Sequence, residues 1–275
     1  MTHIANINNP RIGMATTVAS QPPDVIAAPN RVPLVTPEFW LIKLMAVTMG
    51  ETAADFLAVN LGLGLTATSL LMGAVLVIAL LLQFAQKRYV PWSYWLAVVL
   101  VSIVGTLVTD NLVDNFGVSL VTTTAVFSGL LALTFAIWFA LERTLSIHEV
   151  KTSRREAFYW LAILFTFALG TAAGDLVAEH FALGYMATGI LFGMIIASVT
   201  AGYYGLKLNS IWAFWIAYIF TRPLGASFGD LLSQPVEYGG LGLGTILTSG
   251  IFLAAIIALV FYMTVNKKHH GRPLR

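Results

Sequence analysis

WLIKLMAVTMGETAAD, residues 40–55, recurs as WLAVVLVSIVGTLVTD at 95–110, WLAILFTFALGTAAGD at 160–175 and WIAYIFTRPLGASFGD at 215–230. Each copy opens on a tryptophan (Trp40, Trp95, Trp160, Trp215). A glycine follows ten residues on (Gly50, Gly105, Gly170, Gly225), and an aspartate fifteen residues on (Asp55, Asp110, Asp175, Asp230). Four of the chain's six aspartates share this one offset, which chance does not supply. A repeat of this kind is read before any motif because it sets the architecture. The tryptophans are 55, 65 and 55 residues apart, so copies one and three, and two and four, are each separated by 120 residues. That is the pattern of a duplication of a duplication.

The rest of the chain says what solvent these copies fold in. Over 275 residues the mean hydropathy is +0.82 and only 10% of residues are charged, far from the balance of a globular domain. No Lys or Arg lies between Lys43 and Lys87, Arg88 and Arg143, Arg155 and Lys207, or Arg222 and Lys267. Each gap holds two apolar runs of about 20 residues, the length that crosses a bilayer. The expected fold is all-α, a polytopic membrane protein of eight transmembrane helices near Phe39 to Leu61, Leu65 to Ala85, Ser93 to Asn115, Ser119 to Leu141, Phe158 to Glu179, Tyr185 to Leu206, Ile211 to Ser233 and Leu243 to Val265. An even number of helices per copy makes the copies parallel, with pseudo-symmetry about the membrane normal. The expected organisation is a disordered tail over residues 1–35, one membrane domain over 36–266 with repeats at 36–88, 89–150, 151–208 and 209–266, and a basic tail at 267–275.

Lys87, Arg88, the run from Arg143 to Arg155, Lys207 and the residues from Lys267 to Arg275 fall on the side of both termini, while the other four turns contain no Lys or Arg. By the positive-inside rule that side is cytoplasmic, and a bacterial inner membrane is the expected location. Thr36-Pro37-Glu38 starts the first helix well: a threonine cap, proline at the first helical position, and an acid at the positive end of the dipole.

This pattern resembles a family of bacterial membrane proteins built from four tandem copies of a two-helix repeat of unknown function with a characteristic tryptophan. The resemblance runs from Phe39 to Val265 and rests on Gly50-Glu51-Thr52-Ala53-Ala54-Asp55 and its counterparts ending at Asp110, Asp175 and Asp230. It implies the architecture and no activity.

Function must therefore come from the residues. At 1.5 Å per residue each aspartate lies about 22 Å along its helix from the tryptophan, in the outer part of the bilayer, with Glu51 one turn deeper. A carboxylate at mid-bilayer costs about 2.5 to 3.5 kcal/mol, so it reads as functional by default. Residues four apart stack on one helix face. The rows Glu51/Asp55, Thr106/Asp110/Asp114, Thr171/Asp175/Glu179 and Ala226/Asp230/Gln234 then form an acidic cup if the odd-numbered helices line one bundle. With His180 as the one imidazole close by, the oxygen ligands Asp55, Asp110, Asp175 and Asp230 suit a hard or borderline divalent ion such as Mn, Mg or Zn as substrate. Carboxylates in low dielectric also hold protons. A proton-coupled secondary transporter of a small cation is the reading that uses both properties. A non-transport sensor or accessory protein with a structural acidic row is the alternative.

Glu51 and Arg222 both break the fourfold pattern. The counterparts of Arg222 are Val47, Ser102 and Phe167, and those of Glu51 are Thr106, Thr171 and Ala226. Their depths differ by four residues, about 6 Å of rise, so a charge pair between the first and seventh helices is expected, which requires repeats one and four to be neighbours in a closed ring.

Other chemistry is weakly signalled. With no cysteine there is no thiolate ligand or thiol nucleophile. The glycines from Gly239 to Gly244 lack the Lys-Ser/Thr of a phosphate loop, and there is no His-Glu-x-x-His pair or Gly-x-Ser-x-Gly elbow. Neither a nucleotide, a nucleic-acid partner nor an enzyme activity is expected, and the formal charge of +2 forms no basic patch.

Overall fold

The computed structural model describes residues 29–270, with side chains through Val265. Eight long helices follow one another: α1 (Pro37–Asp55), α2 (Leu65–Phe84), α3 (Pro91–Asp110), α4 (Leu120–Glu142), α5 (Ser153–Asp175), α6 (Tyr185–Leu206), α7 (Ser210–Ser233) and α8 (Thr245–His270). Thr36 caps α1, its hydroxyl accepting from the Phe39 amide at 3.3 Å, with Pro37 at the first helical position. Ser119, Thr152 and Asn209 cap α4, α5 and α7 in the same way.

The odd helices form a closed inner ring in the order α1, α3, α5, α7, with α7 packed back on α1. Each even helix lies outside, chiefly against the odd helix that follows it: α2 on α3, α4 on α5, α6 on α7, and α8 on α1. The sequence repeat is therefore not the packing unit. Burial follows this division: 72% of the most apolar stretch of α3 is buried but only 17% of that of α2. The outer helices present Leu70, Leu81, Leu133, Ile190, Ile251 and Phe261 outward, an apolar belt far larger than a water-soluble monomer carries.

Six helices (α2 to α6 and α8) are long and apolar enough to cross a membrane. The two outside that set, α1 and α7, carry Lys43, Glu51 and Asp55, and Arg222 and Asp230, on residues that face the ring rather than its surroundings. Their polarity is inward, which is where a membrane protein keeps such groups.

The repeat glycines set the spacing of the ring. A Cβ on Gly50 would overlap Ser102, on Gly105 Phe167, on Gly170 Arg222, and on Gly225 Val47. One contact thus recurs four times in cyclic order, each glycine admitting the residue seven places past the next tryptophan. This is the small-residue approach by which membrane helices pack closely.

One expectation needs correction. Residues 29–35, assigned to a disordered tail, are ordered: Val32 is buried and Arg31 bonds to Val150 and Glu156. The assignment for residues 1–28 lies outside the described residues. The segment 267–275 assigned to a basic tail is helical as far as His270, where α8 ends, and residues 271–275 lie outside the described residues.

Candidate functional site

Residues four apart on α1 make the row Phe39, Lys43, Val47, Glu51 and Asp55, and the equivalent rows of α3, α5 and α7 face the same axis. Built from the basic end upward, the axis carries three layers.

The first layer is aromatic. Phe39 and Phe214, Tyr94 and Tyr159, and the indoles of Trp95, Trp160 and Trp215 are buried and packed ring on ring. The Tyr94 and Tyr159 hydroxyls bond at 2.5 Å. Three of the four repeat tryptophans therefore lie inside the ring as packing elements, and Trp40 alone is half-buried. Above them Lys43 is fully buried; its ammonium donates to the Tyr218 carbonyl at 3.0 Å and lies 3.9 Å from the centre of the Tyr218 ring. Sequence reasoning missed Lys43 as a site residue, although the row of fours through Glu51 passes through it.

The second layer is the charge pair. Arg222 is fully buried, and its Nη2 faces Glu51 Oε2 at 2.7 Å, Thr171 Oγ1 at 2.7 Å and Thr106 Oγ1. The Thr106 hydroxyl in turn donates to Glu51 Oε2 at 3.1 Å. The two residues that break the repeat thus meet across α1 and α7, joined by the residues that stand at the Glu51 position in repeats two and three. Ala226, the fourth equivalent, has no polar group to offer. Gly170 makes the arrangement possible, since any side chain there would overlap the arginine stem. Arg222 Nε and Nη1 have no hydrogen-bond partner among the described residues, so the guanidinium is held by one charge and two hydroxyls.

The third layer is the acidic vestibule. Asp55, Asp110, Asp175 and Asp230 all lie within electrostatic reach of Glu51. The only side-chain donor reaching any of these four, among the described residues, is Gln234, whose amide is 3.4 Å from Asp55 Oδ2. Asp230 is buried and the other three are half-buried, while Asp114 and Glu179 stand exposed at the rim, where Tyr185 donates to Glu179 at 3.5 Å. His180 is exposed and packs edge-on against Phe181. Among the described residues no three His, Cys, Asp or Glu are grouped so as to hold a metal ion.

A feature unread in the sequence lies directly after the aspartates. Phe56–Asn60, Asn111–Asn115 and Leu176–His180 are π-helical turns that continue α1, α3 and α5. The amides of Leu61, Phe116 and Phe181 donate five residues back, to Phe56, Asn111 and Leu176. Such turns widen the helix and recur at functional sites. Here they directly follow the aspartates of three of the four odd helices. In the fourth repeat Pro235 lacks the amide such a turn needs and holds Gln234 extended, so α7 ends without one. Asn60 and Asn111 tie their turns outward, Asn60 accepting from Thr245 of α8 at 3.0 Å and Asn111 donating to Ser69 of α2 at 2.5 Å.

The charge is sorted by end. Arg31, Lys87, Arg88, Arg143, Lys151, Arg154, Arg155 and Lys207 gather at the end where α1 begins, and the opposite end has no Lys or Arg among the described residues.

No characterised protein and no solved structure matches the chain. The family described as Repeat of Unknown Function (DUF347) matches it four times, at residues 39–89, 93–144, 158–208 and 213–269. These segments take in all but the first turns of the ring helices and the residues that line its axis, and the chain belongs to the DUF347 repeat family.

Proposed function

We propose that this chain is a secondary transporter of a small cation, exchanging substrate against protons through Glu51 and the aspartates of the vestibule. In this reading all eight helices cross the membrane, the four repeats are related by pseudo-symmetry about its normal, and the basic end is cytoplasmic in a bacterial inner membrane. The observation that carries it is the buried Arg222–Glu51 pair on the axis, at the floor of a vestibule whose other carboxylates are almost without donors. A guanidinium on the path repels a bare cation and bars free diffusion, so passage requires the pair to open. Glu51 then alternates between Arg222 and a proton or substrate.

The substrate class is a small cation, with Mn, Mg or Zn the ions whose ligand preferences suit oxygen donors. A metal would bind once the odd helices bring three oxygens together, which is a movement and not a preformed cage. The experiment is a thermal-unfolding series with each ion, since a ligand that binds only the folded state raises its stability. Wild type gains stability from the transported ion, and a variant with Asp55, Asp110, Asp175 and Asp230 all changed to Asn stays folded and loses the gain. A folded quadruple variant with an undiminished response would make the acidic row structural.

A further inference from the structure

The segment before α1 lies outside the four matched repeats, the first of which starts at residue 39, and nothing in the vestibule accounts for it. Asn30 donates from its side-chain amide to the Ile147 carbonyl at 3.0 Å, and its own carbonyl accepts from the Tyr89 amide at 3.0 Å. The Arg31 amide donates to the Val150 carbonyl at 3.0 Å. The Arg31 guanidinium reaches α5, bonding Glu156 Oε2 at 2.7 Å and Ser153 Oγ at 3.1 Å. Glu156 is fully buried, and its second oxygen accepts from Gln83 at 3.0 Å, which in turn accepts from Ser93 at 2.7 Å. Val32 and Pro33 are buried beside these contacts.

The ring order decides what this means. Because α1 neighbours α3 and α7, α5 is its opposite corner. A segment joined to α1 at Thr36 and bonded to the first turn of α5 spans from one corner of the ring to the opposite one. With neighbouring helices about 8–10 Å apart, the diagonal of such a ring is about 11–14 Å. The five residue steps from Arg31 to Thr36 span up to about 17 Å, which is enough.

We infer that Asn30–Val35 is a gate: a strap drawn across the basic-end mouth of the ring and latched by Arg31 on buried Glu156. It also ties the α2–α3 and α4–α5 connections together through Tyr89, Ile147 and Val150, so the odd helices cannot part at this end while it is fastened. What the gate admits rests on the transport reading; that it closes the mouth does not.

The test uses the full chain, which has no cysteine of its own, carrying Val150→Cys as a reporter, because Val150 is fully buried next to the strap. In purified protein in detergent, where both ends are open to the reagent, a maleimide labels this thiol slowly. Arg31→Ala and Glu156→Gln each speed labelling about ten-fold or more, since removing one partner of a buried pair leaves the other unpaired, and Arg31→Lys restores most of the slow rate. Hydrogen exchange supplies the second readout. In Arg31→Ala the amides of Arg31 and Tyr89 lose protection together while those of α5 keep theirs, which distinguishes release of the strap from unfolding. Labelling and exchange unchanged in Arg31→Ala and Glu156→Gln would overturn the gate. Loss of protection throughout α5 would also overturn it, by making the contact a structural tie. Neither readout requires transport, so a failed flux experiment leaves this result standing.

Discussion

Replacing Glu51 and Arg222 by glutamine, singly and together, yields an asymmetry that follows from the bonds each partner would keep. In Glu51→Gln the guanidinium remains at 0% exposure and keeps only neutral acceptors, the Thr106 and Thr171 hydroxyls and the new amide oxygen, with no counter-charge. It cannot shed its charge, so the cost is that of an orphaned buried ion, about 3–5 kcal/mol. In Arg222→Gln the carboxyl keeps the Thr106 hydroxyl and can be neutralised by one proton, so the loss is nearer that of unmade hydrogen bonds to a buried group, about 1–3 kcal/mol. The double variant buries two neutral amides that can bond to each other. Its loss is smaller than the sum of the singles, with a coupling of about 2–3 kcal/mol, at the upper end for residues in one network. Denaturant unfolding in detergent, followed by tryptophan fluorescence, measures all four corners of the cycle. Additivity within about 0.5 kcal/mol would refute the pairing as a source of stability, and Arg222→Gln as the worse single change would refute the asymmetry.

Gly170→Ala places a methyl against the arginine stem and should destabilise by about 1–3 kcal/mol, as overpacking does. Gly129→Ala, with open space around it, should be neutral or stabilising by up to about 1 kcal/mol. Equal melting temperatures for the two variants would contradict the close approach of α5 to α7. Reporter fusions after Gly62 and Gly184 should report the face opposite to fusions after Arg88 and Lys207, and one fusion on the wrong face would break the parallel-repeat topology.

Much of this molecule was legible because the repeat made positions comparable. The number of helices followed from the apolar runs between basic residues, the start of α1 at Pro37 from its cap, and the family likeness from tryptophan, glycine and aspartate at fixed offsets. The two pattern-breaking charges pointed at each other because only one carboxylate and one guanidinium stood out of register at similar depth. What the sequence withheld was relational. That α2 would pack on α3 rather than on its own partner α1 depends on the shape of the closed ring and leaves no local mark. The π-helical turns were hidden because a widened turn has no periodicity of its own over five residues. The strap was read as a tail because a short run of Pro, Asn and Arg looks unstructured until Glu156 is found buried beneath it. Lys43 carries no mark in the sequence, since long basic side chains near span ends ordinarily reach outward, whereas here the residue is buried and faces the ring.

The most direct test of the account is proton movement in proteoliposomes carrying a pH-sensitive dye, with Mn, Mg or Zn added across an imposed gradient. The account predicts that one of these ions drives counter-movement of protons in wild type, and that Glu51→Gln, shown to be folded in the same vesicles, abolishes it. Wild-type vesicles silent to every cation tried, or Glu51→Gln vesicles with undiminished proton movement, would contradict it.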